Sequence, residues 1–237
     1  MKHLNTYITE YIIKKKLDKP IDSENYYKYC PKSKGELKDT INKLMKQDIY
    51  DFNCIDTSKI TDMSNLFYLD LDYINKNFDV SEWDVSNVAN MSHMFYHCVN
   101  FDCDLSNWDV SNVENMRYLF YDCNKLDINL SGWDVSKVEN MQHMFYHCTN
   151  FKGNGLENWN VSSVTSMDSM FEDCANFDCD LSNWNVSNVI NMDKIFCDCV
   201  NFTGKGLENW NVSNVINMDK IFLRCKSLRK KPTWYKK

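Results

Sequence analysis

The sequence predicts an α/β repeat solenoid. One observation is a period of 25 or 26 residues running through most of the 237-residue chain. The other is that a spacing of two precedes a spacing of three and four inside each period. Tryptophan recurs at Trp83, Trp108, Trp133, Trp159, Trp184 and Trp210, methionine at Met91, Met116, Met141, Met167, Met192 and Met218, and phenylalanine at Phe95, Phe120, Phe145, Phe171, Phe196 and Phe222. From each tryptophan to the cysteine that follows, the unit reads W-D/N-V-S-x-V-x-x-M-x-x-M/L/I-F-x-x-C without a gap in six copies. The extra residue of the two longer units falls in one place, within 152–155 and 203–206, and reads as a tolerant loop. A worn seventh copy precedes them, Ile55 to Ile60 followed by Met63, Leu66 and Phe67, with Ile55 where tryptophan stands elsewhere.

Each element of the fold class has its own justification. Leu105, Trp108 and Val110, then Val113, follow the L-x-x-L-x-L spacing of a leucine-rich repeat, so a short strand is expected to turn these residues inward. Met116, Leu119, Phe120 and Cys123 stand at i, i+3, i+4 and i+7, an apolar helical stripe. Neither piece buries its face alone, whereas stacked repeats cover one another. The class is therefore leucine-rich-repeat-like, about six full repeats plus one degenerate, over residues 55–225. An open stack needs caps. Residues 1–54 form the expected N-terminal helical cap: a stripe of Leu4, Tyr7, Ile8, Tyr11 and Ile12, a loop from Pro20 to Pro31, and a second helix. The Ser33/Glu36 capping box starts that helix, which buries Leu37, Ile41, Leu44 and Met45. Residues 226–237 are a basic C-terminal tail, where either Trp234 folds back over the end or a partner docks.

Charge is distributed unevenly behind a formal net of −6. The cap carries +3, the repeats −15 and the tail +6. A body so acidic repels phosphate backbones, which argues against nucleic acid and favours a protein with a basic surface. The tail could dock on the body of a second copy, so a homo-oligomer is a further expectation. No apolar run approaches the twenty residues of a membrane span, and no signal h-region is recognisable. A cytoplasmic, intracellular setting is expected, in an infected host cell if the source is viral, with cell surface or virion as the alternative. Six of the eleven cysteines (Cys98, Cys123, Cys148, Cys174, Cys199 and Cys225) recur once per repeat in core phase and are expected to be reduced. The abundance of Lys, Asn, Ile and Tyr with very little Ala points to an AT-rich genome, as in some bacteria, phages and large viruses.

The repeat resembles the BspA-like leucine-rich-repeat surface proteins. Trp83-Asp84-Val85-Ser86-Asn87-Val88 and Trp108-Asp109-Val110-Ser111-Asn112-Val113 carry the likeness, which extends over roughly residues 55–225. The resemblance implies an adhesive or interaction surface and brings no catalytic residues.

The candidate site is the position after each tryptophan, which alternation places on the solvent face: Asp84, Asp109, Asp134, Asn160, Asn185 and Asn211. Stacked carboxylates repel, a cost that structure alone has little reason to accept. With Glu82, Ser86, Ser111 and Ser136 they form a ladder suited to a basic partner. The competing reading is a solvated face whose Asp and Ser bond to neighbouring backbone. The tryptophans themselves share the phase of the leucines and valines and read as core rather than as a stacking platform. His93/His97 and His143/His147 have the i, i+4 spacing that can chelate zinc, with Asp122 in line with His97 and His147. They lie off the apolar stripe and are expected to be exposed helix surface, so no metal and no cofactor is expected. Asp102-x-Asp104 and Asp178-x-Asp180 form no cluster, and adjacent His147-Cys148 cannot form a nucleophile pair on a helix. No phosphate loop and no Ser/His/Asp arrangement is present, so the chain is not expected to be an enzyme. The function expected is a non-enzymatic protein–protein interaction module using the acidic face, and a phage- or virus-encoded inhibitor of a host protein fits it. The alternative is a structural or adhesive component of a virion or cell surface that binds protein or glycan.

Overall fold

The computed structural model describes residues 27–68 and 76–235. Among them the chain has one α-helix, α1 (Lys34–Met45), and a 3-10 turn at Leu207–Asn209. No strand and no sheet forms among the described residues, and the repeats are joined by isolated parallel bridges. The α/β repeat solenoid of leucine-rich-repeat type is therefore overturned: its repeats contain neither the expected strand nor the expected helix.

The reason is where the backbone donors go. In a helix every N–H reaches four residues back. Here the N–H groups of Met94, Tyr96 and Cys98 reach only three back, to the carbonyls of Met91, His93 and Phe95, in overlapping β-turns. The N–H groups between them, of Met91, His93, Phe95 and His97, leave the repeat. They donate to Asn115, Arg117, Leu119 and Tyr121 of the next one at 2.7–3.0 Å. Left-handed residues permit this, with φ of 57° at His93 and 62° at His97, and they recur at Tyr118 and Asp122, His143 and His147, Ser169 and Asp173, and Lys194 and Asp198. Such residues interrupt a right-handed helix. Met91, Met94, Phe95 and Cys98 are nonetheless all buried, so a train of turns hides the same positions as a helix would.

The expected strand fails for a related reason. Trp108 N–H bonds to Leu105 and Val113 N–H to Val110, both turns. Between them side chains capture the backbone: Asp104 Oδ1 accepts from Ser106 N–H, Asp109 Oδ1 from Ser111 and Asn115 Oδ1 from Arg117, each at 3.0 Å. Three Asx turns in this repeat, and three in each of the repeats of Trp83, Trp133 and Trp184, give the backbone an alternative to a ladder. What remains of parallel pairing is a column of single bridges through Asp62, Asn90, Asn115, Asn140, Ser166, Asn191 and Asn217, with Tyr29–Ile55 and Asp51–Asp79 at the N-terminal end.

The core runs through all the described repeats. The indoles are 2–4% exposed, and Trp108, Trp133 and Trp159 stack at 6.4–6.5 Å with planes within 2°. Each Nε1–H donates to a carbonyl of the preceding repeat, Trp108 to Val80 at 3.1 Å and Trp133 to Leu105 at 3.0 Å. The phenylalanines stack in a second column, Phe95 on Phe120 at 5.5 Å and Phe120 on Phe145 at 5.6 Å. The tail resolves the alternative left open at the C-terminus. Trp234 folds back, stacks on Trp210 at 6.2 Å and donates to Leu207 at 2.6 Å.

At the other end α1 begins where the Ser33/Glu36 pair placed it. Ser33 Oγ accepts from Glu36 N–H at 3.3 Å, and Leu37, Ile41 and Leu44 join the core. Lys34 Nζ ties the helix to Asp62 at 2.7 Å and Ser64 at 2.9 Å. The N-terminal stripe from Leu4 to Ile12 lies outside the described residues. The two longer units do not hold tolerant loops. Gly155 has φ of 89°, and a β-carbon there would lie 2.2 Å from the Ser131 nitrogen. Only glycine fits that approach.

Two substitutions test this packing by urea unfolding. Trp133→Ala is expected to cost about 3–5 kcal/mol and Trp133→Phe, which takes the indole N–H from a Leu105 carbonyl that Trp108 N–H still meets, about 0.5–1.5 kcal/mol. Equal costs for the two would show that the indole hydrogen bond contributes nothing. Gly155→Ala, at a buried position within a turn, is expected to lower the unfolding midpoint markedly, whereas an ordinary exposed loop substitution changes stability by within about 0.5 kcal/mol.

Candidate functional site: the face after the tryptophans

The residues expected to bind a partner occupy one exposed face. Glu82, Asp84, Asp109, Asp134, Asn160, Asn185 and Asn211 are exposed, and Ser86, Ser111 and Ser136 are half-buried beside them. Each Asp or Asn closes an Asx turn onto the serine two residues on, at 3.0 Å for Asp84, Asp109 and Asp134 and 3.2 Å for Asn160, Asn185 and Asn211. The backbone bonding weighed against the binding reading is therefore present. It occupies one oxygen of each carboxylate; among the described residues no hydrogen bond reaches the other. The Ser111 hydroxyl and then its N–H hold Asp109 below the usual carboxylate pKa, and Ser136 does the same for Asp134. The Asx turns orient the side chains of the column.

A second column braces it. Asn112 Nδ2 donates to the Ser86 carbonyl at 2.8 Å, Asn188 to Ser162 and Asn214 to Ser187 at 2.7 Å. Lys137 replaces asparagine in this column, donating to Asn112 Oδ1 at 2.6 Å and drawing Asp109 and Asp134 further down. At the N-terminal edge of the face Tyr27 has its pKa raised, first by burial and then by Asp56, Asp84 and Glu82. Glu82 itself is anchored through its N–H to Asn53 Oδ1 at 2.9 Å.

The histidines lie on another face, on turns rather than on a helix. Asp122 sits between His97 and His147, its Oδ2 on His97 Nδ1 and its Oδ1 2.6 Å from His147 Nδ1. His93 and His143 do not join them; each stacks on Tyr118, at 4.6 and 4.5 Å. Tyr96, Tyr121 and Tyr146 form a parallel ladder at 4.5 Å, and Tyr68 meets Tyr96 at 4.8 Å with its ring tilted. Sequence reading missed this ladder, although F-Y recurs at 67–68, 95–96, 120–121 and 145–146. The rings cover each other's faces, which leaves little for a sugar to stack on. No group of three or more metal-binding side chains suited to an ion occurs among the described residues. Asp178 and Asp180 are engaged separately, with Thr203 and with Lys205 and Ser182.

The eleven cysteines are free thiols. From Cys123 onward each thiol of the column donates to a phenylalanine carbonyl of the preceding repeat, Cys123 to Phe95 and Cys148 to Phe120 at 3.0 Å, Cys174 to Phe145 at 2.8 Å. Burial raises their pKa, to about 12 at Cys98 and well beyond the ordinary range at Cys148. They are core side chains, not nucleophiles.

These features define a class: a chain of near-identical turn-built repeats, stacked through single parallel bridges and one continuous aromatic core. A family model described as Mycoplasma protein of unknown function, DUF285, matches residues 36–155 and 124–235. The chain belongs to that family. No curated protein and no solved structure matches it. No helix among the described residues is long and apolar enough to cross a membrane.

Two measurements bear on these assignments. Brief alkylation of the native protein, read by mass spectrometry, is expected to label exposed Cys30 and to leave Cys98, Cys123, Cys148, Cys174 and Cys199 unmodified. Burial lowers the pKa of His93 and, more than offsetting Asp168 and Glu172, that of His143, whose Nδ1 is buried without a hydrogen bond. The folded chain thus holds these rings neutral, and the unfolded chain takes up their protons first. Stability is expected to be full above the ordinary histidine pKa of about 6.5 and to fall as pH drops below it. His143→Gln should flatten that fall between about pH 7 and pH 5; an unchanged slope would remove His143 from the account.

Proposed function

We propose that the chain is a non-enzymatic interaction module that binds a partner protein of basic surface through the column Asp84, Asp109, Asp134, Asn160, Asn185 and Asn211, flanked by Glu82, Ser86, Ser111 and Ser136. One observation carries this reading. Three carboxyl groups stand in register on consecutive repeats, each oriented by its own serine and each keeping an oxygen for a ligand. A guanidinium or ammonium array meeting them loses little side-chain entropy on the protein's side, because these side chains are already fixed. The likeness to BspA-like surface proteins supports an interaction role. A phage- or virus-encoded inhibitor of a host protein is one form this function would take.

The test is affinity purification from the native organism with the unmodified chain and with Asp109→Lys/Asp134→Lys. A partner retained at low salt by the former and lost by the latter, at equal thermal stability, is the expected result. Recovery of the same partners by both chains would remove the acidic column as the binding surface.

A further inference from the structure

The two ends of the stack are finished differently. At the N-terminal end α1 lies over the first repeat, and Met63, Leu66 and Phe67 are 1% exposed or less. At the C-terminal end the tail does only part of the same task. Trp234 covers Trp210, and the Tyr235 ring meets Phe222 edge-on at 5.2 Å. The remainder stays open: Val212, Val215 and Met218 are half-buried where their equivalents are fully buried, and Ile216 is 77% exposed. Ile190, one repeat earlier, adds to the same apolar strip at 45%.

The open edge also carries hydrogen-bond donors in a fixed pattern. In the preceding repeat the N–H groups of Met192, Lys194, Phe196 and Asp198 donate to Asn217, Asp219, Ile221 and Leu223 at 2.8–3.2 Å. The corresponding N–H groups of the last repeat, on Met218, Lys220, Phe222 and Arg224, meet no acceptor among the described residues. Ile190 O accepts from Ile216 and Asn217, while the equivalent Ile216 O accepts from none of them. What fits this edge is a chain running parallel to residues 216–224 that offers a carbonyl at every second residue. The charge around the edge specifies that chain further. Lys220 lies in the row itself, as does Arg224, whose Nε pairs with Asp198 at 3.0 Å, and Lys205, Lys226, Arg229 and Lys230, with Glu208 among them, line a cavity of about 800 Å³.

We propose that the 216–224 edge is a docking site for an extended acidic polypeptide segment, which adds to the stack as one more parallel rung. Its alternate carbonyls would take the four N–H groups, its apolar side chains would cover Ile216 and Met218, and its carboxylates would meet Lys220, Arg224 and Lys226. This is strand addition to an exposed edge, in which main-chain bonds give affinity and side chains give selectivity. A second copy does not satisfy the edge. Head-to-tail stacking is blocked by α1, and end-to-end pairing opposes donors to donors and cations to cations.

This site is separate from the acidic column, and one experiment distinguishes them. A fluorescein-labelled octapeptide of alternating Glu and Val, its Lys/Val counterpart and a peptide of scrambled Glu/Val order are titrated against the full chain by fluorescence anisotropy. Amide hydrogen exchange is followed in parallel. The expected result is that the alternating acidic peptide binds tightest and slows exchange at Met218, Lys220, Phe222 and Arg224. Amides 192, 194, 196 and 198 are protected with or without it. Lys220→Glu/Arg224→Glu is expected to weaken binding roughly tenfold or more at low salt. Absence of binding at about 1 mM acidic peptide, equal binding of the scrambled peptide, or protection confined to other residues would each overturn the proposal. Exchange on the unmodified protein keeps the test decisive should the double variant fold poorly.

Discussion

Everything in this structure depends on exporting backbone hydrogen bonds from one repeat to the next. Within each M-x-x-M-F-x-x-C stretch, alternate N–H groups close turns inside the repeat and the others donate across it. No repeat can satisfy its own backbone, and a buried unsatisfied amide is costly. Neighbours must therefore be present and in register. Register then places like side chains over like: indole on indole, phenyl on phenyl, and thiol beneath the carbonyl of the preceding phenylalanine. Stability becomes a sum over neighbouring pairs, with the ends as the weak terms.

The same constraint explains the surface. The turns need groups that compete for backbone donors, and Asp, Asn and Ser are the residues that do so. Up to three such turns per repeat load the outside of the stack with carboxylates and amides, and stacking lines them up. The acidic column is thus produced by the folding requirement before any partner is considered. Its interest for binding comes from the oxygen that the turn does not use. Seven residues of the proposed binding surface are exposed and its three serines half-buried, all on turns instead of a strand.

Both ends have to deal with exported bonds. At the first repeat a helix supplies apolar cover and a lysine that ties it to Asp62 and Ser64. At the last, a seventh indole continues the tryptophan column, and the donor row beyond it stays open. That asymmetry gives the molecule two chemically opposite surfaces, an acidic flank and a basic end.

Much was legible in the sequence because it depends on counting. The period, the identity of the core residues, the reduced cysteines, the start of α1 at Ser33 and the exposure of Asp84, Asp109 and Asp134 follow from spacing and residue type alone. The hydrogen-bond partners did not follow. A buried pattern of i, i+3, i+4, i+7 suits a helix and a train of left-handed turns equally, since both bring those side chains to one side. The choice rests on whether a neighbouring repeat offers carbonyls at the right height, which local spacing does not record. Tertiary stacking alone decided that these residues would bond outward, and with that choice it excluded strand and helix, confined Gly155, aligned the tyrosines and left four N–H groups of 218–224 without an acceptor among the described residues.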